Sequence, residues 1–320
     1  MVLLDNVALN FLSGVDATLS ANGTLAYFTG AAASRVELVN ERGAALSTLP
    51  VEPGRYSTVN WSPDGTRLLL QSAPEAGFNL WVYDTASRVT TRLTPDGNAQ
   101  RGMWTPDGKR VAFMWINRGN SAHWVPADGS TAAEPIPQGA GFSTGFRFSS
   151  DGKYIMFYNA APTDSAQVIV IPMSGGPRLP LLAGVRQPDV PTTSPDGEWM
   201  VYSSAESGRR EIYIRSFPAG GSRVQVTSNG GSNYALSRDG RRLFYLTPTA
   251  VRVATLDFGG SIARLVRTDS LFPNDFRDYA AHPNGREFAV LREASERVKL
   301  VVVTNWLDEV MPKLKGAKGP

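Results

Sequence analysis

Asp16, Asn233 and Asp278 are the residues whose chemistry could hold an ion. Two carboxylates and an amide carbonyl are hard oxygen donors, the set that Ca2+ takes with water completing its shell. They meet only if the chain folds as a ring of repeats in which the first, sixth and seventh units are neighbours. Arg101 would then lie roughly opposite, placed to balance the acidic arc or to hold an anionic group of a ligand. The plainer reading is that both aspartates cap strand-entry turns or pair with Arg277. Calcium is the one cofactor that these residues suggest, and no other is expected.

Other residue types invite chemistry less well. Asp64, Asp107, Asp151, Asp196 and Asp239 each sit third in a Ser/Thr-Pro/Ser/Arg-Asp-Gly tetrapeptide. A turn explains them without a metal or an acid catalyst. Gly141-Phe142-Ser143-Thr144-Gly145 matches the nucleophile-elbow pattern but leads into a strand, with no helix after it. Only two histidines exist, His123 and His282, and neither falls at a repeat position that faces a channel mouth. The Gly-rich pieces at 174–177, 219–222 and 258–261 lack the Lys-Ser/Thr of a phosphate loop and read as hairpin turns. With no cysteine, thiolate chemistry and disulfides are excluded. The residues therefore favour a protein that binds over one that catalyses, the alternative being a hydrolase or lactonase with a metal at the mouth of the ring.

The elements that must position these residues are legible. The tetrapeptide recurs seven times, with its glycine at 23, 65, 108, 152, 197, 240 and 285. Proline presets φ, the Ser or Asp oxygen bonds back to the backbone, and Gly accepts the left-handed conformation that closes a bulged hairpin. A period of roughly 40–45 residues built from short strands is the mark of a β-propeller. The second copy shows four strands, at 57–61, 66–71, 78–84 and 90–94. The fold expected is all-β, a seven-bladed propeller of four-stranded antiparallel blades over residues 1–306, with six blades as the alternative. The segment Val2–Val7 is expected to add the outer strand of the last blade, and residues 307–320 to form a short helical or disordered tail.

That register predicts a binding surface. Seven residues before each glycine stand Asp16, Thr58, Arg101, Gly145, Val190, Asn233 and Asp278; eight before stand Val15, Ser57, Gln100, Thr144, Asp189, Ser232 and Arg277. Arg55, Tyr56, Arg186, Arg209 and Arg210 lie in nearby loops. The ligand-binding set expected at the mouth is Asp16, Tyr56, Thr58, Arg101, Asp189, Asn233, Arg277 and Asp278. Ordinary solvated loops are the competing reading. A net charge of +3 over 320 residues makes no stripe for nucleic acid. The one basic cluster, Lys313 to Lys318, reads as a solvated end. No run approaches the roughly 18 apolar residues of a membrane helix.

At its Ser-Pro-Asp-Gly repeats the chain resembles the TolB-type propellers. The stretch Arg210-Glu211-Ile212-Tyr213-Ile214-Arg215-Ser216-Phe217-Pro218, followed by Gln225-Val226-Thr227 and Gly230-Gly231, is similar to the propeller that follows the kinase domain in bacterial eukaryotic-like serine/threonine kinases. The ending Val301-Val302-Val303-Thr304-Asn305-Trp306 shares that likeness. The resemblance implies a sensor or interaction module that binds a protein, a peptide or a small ligand at its loop-rich face. It also implies an extracytoplasmic setting and a kinase domain upstream. No kinase motif occurs in this chain, and its first residues have no signal-peptide pattern.

Overall fold

Each repeat turn closes in the same way. In the computed structural model, Ser62 accepts the Gly65 N–H at its carbonyl (2.9 Å) and the Arg67 N–H at Oγ (2.9 Å). The same hydroxyl donates to Asp64, whose carboxylate also takes the Thr66 N–H at 3.1 Å. Equivalent pairs join Thr105 to Asp107, Ser149 to Asp151, Ser194 to Asp196 and Ser237 to Asp239. The repeat aspartates thus serve their own turns, as expected from the sequence.

The structure describes residues 9–10, 14–15, 17–29, 34–51, 56–72, 78–95, 97–116, 121–137, 145–159, 167–182, 185–218, 220–221, 223–259, 263–293, 299–308 and 310. Among them are six four-stranded sheets. Five are continuous in sequence, and their inner strands are Tyr56–Trp61, Ala99–Trp104, Phe146–Phe148, Thr192–Thr193 and Ser232–Leu236. The sixth joins distant parts of the chain: Asp278–Ala281 and Glu287–Glu293 form its inner half, Ser34–Asn40 and Ala45–Thr48 its outer half. We number these blades one to six.

Sequence and structure part here. The first and seventh repeats exchange strands, so that the first repeat lends its third and fourth strands to the seventh repeat's first two. The seventh repeat's third strand, Lys299–Val303, pairs instead with Leu25–Thr29, which pairs with Ala17–Leu19. Among the described residues the seven repeats thus give six four-stranded sheets and one of three strands, beside a two-stranded pair of Leu9–Asn10 with Gly14–Val15. The all-β propeller of four-stranded antiparallel blades expected from the repeats is what the structure shows, and blade six packs directly on blade one through Val36, Leu291 and Ala280 against Tyr56, Val59 and Leu68. The segment expected to close the last blade, Val2–Val7, lies outside the described residues, and the strands that close it are Ser34–Asn40 and Ala45–Thr48. Closure is reinforced by Arg292, which reaches Glu37 at 2.9 Å and Asp275 at 2.8 Å.

The chain divides into two compact units, residues 36–52 with 56–292, and residues 1–35, 53–55 and 293–320. The first holds the ring. In the second, the three-stranded sheet ends in a helical turn at 306–308, where the Trp306 N–H donates to the Gly23 carbonyl (2.9 Å). No helix is long and apolar enough to cross a membrane among the described residues.

The core of the ring lies between blades. Leu68, Leu69 and Leu70 are consecutive and each at most 1% exposed, so both faces of their strand are covered. Truncating such a leucine to alanine costs about 2–5 kcal/mol. Polar staples add to this packing. His282 Nδ1 accepts the Asn284 N–H (3.0 Å), so its Nε2–H donates to the Gly65 carbonyl (3.0 Å), and Arg67 donates to the Gly108 carbonyl (2.7 Å). His123 is buried beside Phe113 and Trp115.

Candidate functional site: the ring channel

All six inner strands converge on one cavity of about 490 Å3. The second residue of each turn rims one end: Pro63, Pro106, Ser150, Pro195, Arg238 and Pro283. Five residues before each turn glycine, each blade places one residue on the wall: Asn60, Met103, Arg147, Thr192, Ala235 and Ala280. Blades five and six contribute only methyl groups at this level, which opens space opposite Arg147.

The aromatic walls are fixed by their own polar tips. The Tyr279 hydroxyl donates to the Asn233 carbonyl (2.8 Å), Tyr234 to the Val190 carbonyl (3.1 Å) and Trp104 Nε1 to the Asn60 carbonyl (3.3 Å). Each bond crosses to a neighbouring blade. Burial pushes the Tyr234 and Tyr279 phenols up, so both stay neutral donors.

The loop-side end holds Asp278. Its carboxylate accepts the Val59 N–H from blade one (3.0 Å) and the Asn233 side-chain amide from blade five (3.1 Å). Asp278 keeps some exposed surface, yet dehydration of its carboxyl raises the pKa to about 6, against the smaller opposing effect of its hydrogen bonds. Asn233 is held in the left-handed region (φ 44°) at a bulge in the inner strand of blade five. Arg101 occupies the same position in blade two (φ 58°), also at a bulge, with its N–H bonded to Gln71 Oε1 at 2.7 Å. Its exposed side chain runs against Gly145 of blade three, where an added Cβ would meet Nη1 at 3.4 Å.

The expected ligand set is therefore only partly gathered. Asn233 and Asp278 touch, while Asp16 lies outside the described residues. The inner strand beside Asp278 is that of blade one, so Val59 and Thr58 adjoin it where the calcium arc required the first repeat. Tyr56 is buried between blades six and one, away from any mouth. Thr58 is half-buried, and Asp189 and Arg277 are exposed. Arg55 and 141–144 lie outside the described residues. No group of three or more His, Cys, Asp or Glu that could hold a metal occurs among the described residues.

Arg147, Asn60 and Thr192 were not singled out from the sequence. Their signal is the same register counted five residues back, toward the turns instead of the variable loops. Glu211 was read only as part of a motif. It is 1% exposed and accepts from Thr227 Oγ1, the Gly230 N–H (3.0 Å) and Arg209 Nε (2.8 Å), which anchors the loop leading into blade five.

No family model matches the chain. It is 25% identical over 279 residues to the uncharacterized protein Atu1656 of Agrobacterium fabrum, covering 82% of this chain and 93% of that one. A structure assigned as TolB from Agrobacterium tumefaciens superposes with a TM-score of 0.61 at 20% identity, covering 83% of this chain and 99% of that one. TolB from Acinetobacter baumannii gives 0.54 at 16% identity, covering 89% and 79%. An oligogalacturonate lyase in complex with manganese gives 0.53 at 13%, covering 91% and 81%. At these identities the likeness carries the fold, a TolB-like β-propeller.

Proposed function

We propose that this propeller is a non-enzymatic binding module, a sensor or interaction part of a signalling protein, whose channel receives a ligand or a segment of a partner protein. The observation that carries the reading is the cavity itself. Six strands converge on it, its aromatic walls are stapled in place, and the side chains of Arg147, Asn60 and Thr192 line it without a hydrogen-bond or ion-pair partner among the described residues. A preformed concave site with a few free polar groups is what small-ligand and peptide recognition use. The likeness of blade four to kinase-linked propellers suggests the sensor role by analogy; one scaffold hosts many functions, so the site must decide.

A second reading, a metal-dependent hydrolase or lactonase, is favoured by Asp278: a carboxyl with a pKa near 6 at a channel end suits a general base. One experiment separates the two. A panel of short peptides and small acids, amides, lactones and esters is tested for saturable thermal stabilisation and for turnover, on EDTA-treated protein with and without added Ca2+ or Mn2+. Binding without turnover, weakened by Ala280→Val in the cavity wall, is the outcome expected. Metal-dependent turnover lost in Asp278→Asn would replace the binding module with the enzyme.

A further inference from the structure

We infer that the turn-side half of the channel is an anion pocket for a carboxylate carried on an apolar or aromatic body, with Arg147 as its counter-charge. The inference deepens the binding-module reading and rests on it.

The charge count comes first. Two arginines, Arg147 and Arg238, line the cavity, and no aspartate or glutamate does. The nearest acidic residues are committed elsewhere. The turn carboxylates of Asp64, Asp107, Asp151, Asp196 and Asp239 face inward to their own Ser or Thr hydroxyls and backbone N–H groups. At the far end Asp278 is bonded to Val59 and Asn233. The guanidinium of Arg147 has no hydrogen-bond or ion-pair partner among the described residues, whereas Arg67, Arg209, Arg242 and Arg292 all have one. A half-buried guanidinium lacking a carboxylate or carbonyl is the group that an incoming bidentate acceptor satisfies.

Placement gives the rest of the ligand. Thr192 in the next blade and Asn60 two blades away stand at the same level as Arg147 and supply neutral hydrogen-bonding groups to the same cavity. Across the ring, Ala235 and Ala280 leave room, and Trp104, Tyr234 and Tyr279 present ring surface whose polar tips are already bonded. A second recess of about 240 Å3 shares Arg147, Met103, Trp104 and Thr192, so the guanidinium stands at the junction of two spaces whose walls mix apolar and neutral polar groups. An acidic head with an apolar body fits this division. A polyanion does not, because one cation sits inside and only Arg238 stands at the rim. The shared chemistry is a carboxylate, whether of a free small acid or of a peptide C-terminus.

The test is calorimetric titration and thermal shift on the full chain. The probes are phenylacetate against phenylacetamide, and a tetrapeptide ending in Phe with a free against an amidated C-terminus. At least one acid should bind saturably, with its neutral counterpart roughly tenfold or more weaker. Arg147→Met should weaken the acid roughly 10- to 100-fold and leave the neutral probe unchanged, with Arg147→Lys intermediate. Affinity should fall as salt rises. Preference for the free acid or for the peptide identifies the source. Should Arg147→Met unfold, the comparison of acid with amide on the unaltered chain decides alone. Equal binding of acid and amide, or no binding of any probe at millimolar concentration, overturns the anion pocket. Neutral probes that bind and are lost in Ala280→Val would leave the channel as the binding site while removing the carboxylate.

Discussion

Gly65 and Gly108 occupy the same turn position with φ of 78° and 67°, but their neighbours differ. A Cβ on Gly65 would lie 2.5 Å from His282 Nε2, the atom that staples blade six to blade one. A Cβ on Gly108 meets nothing nearer than Pro63 Cδ at 3.6 Å, an ordinary contact. Gly108→Ala should therefore cost about 1 kcal/mol, the left-handed conformation alone. Gly65→Ala should cost about 2–3 kcal/mol, because the staple is lost as well. Urea midpoints at constant m-value measure the difference, and equal costs would mean that the His282 contact is idle. Asp278 gives a second test at this scale. Its folded pKa of about 6 lies above the ordinary 3.8, so the native state holds the proton more tightly than the unfolded chain does. Its contribution is favourable at low pH and is lost as pH rises from about 4 to about 6, on the order of 2–3 kcal/mol. The turn aspartates run the other way. The Ser237 hydroxyl first, and then the Arg241 N–H, lower Asp239, whose stabilisation is present above about pH 4 and is lost as the pH falls below that. Between pH 4 and 6.5 the melting temperature of Asp278→Asn should gain on that of the parent. Parallel curves would show that the carboxyl is ordinarily hydrated.

The elements themselves were readable because a turn imposes its chemistry locally. Ser62 to Gly65 and its copies need no distant partner to form, so period, strand number per blade and the structural role of the repeat aspartates follow from residues a few positions apart. Two matters were not local. The first is which strand pairs with which at the ends. Glu287–Glu293 accepts Ser34–Asn40 as its neighbour, a pairing across most of the chain, and both are short apolar runs that would suit several partners. The second is which register position faces the cavity. Counting back to the variable loops led to Asp278 and Asn233, which do meet. The free side chains lie two residues nearer the turns, at Asn60, Arg147 and Thr192. Repetition hid them: an arginine in one of six similar strands becomes conspicuous only when the other five wall residues are seen to be neutral. Glu211 escaped notice for the related reason that its partners, Thr227 and Gly230, fall in the next connection.

At the scale of the molecule, the ring is complete within residues 34–293, and its closure depends on the hairpin of Ser34–Asn40 and Ala45–Thr48. Val36 and Val39 of that hairpin are fully buried. Val39 packs with Phe272 and Phe288, so the closing hairpin ties blade six to blade five, and Gly43 in its turn has no room for a Cβ beside Phe272. Arg242 of blade five adds an ion pair to Glu41 in the same turn. Removing the hairpin would strip two strands from one blade, expose the edge of Glu287–Glu293 and uncover Phe288 and Val290, which are fully buried. A shortened chain of residues 34–293 should accordingly unfold in one cooperative transition, because every strand of the six blades is present. A chain of residues 56–293, which keeps all five sequence-continuous blades and lacks only the hairpin, should aggregate or melt far lower. Chemical denaturation followed by tryptophan fluorescence, with light scattering for aggregation, compares the two. If residues 56–293 melt with the longer chain, the hairpin is dispensable and the ring closes by another route. If residues 34–293 fail to fold, the six blades are not self-sufficient.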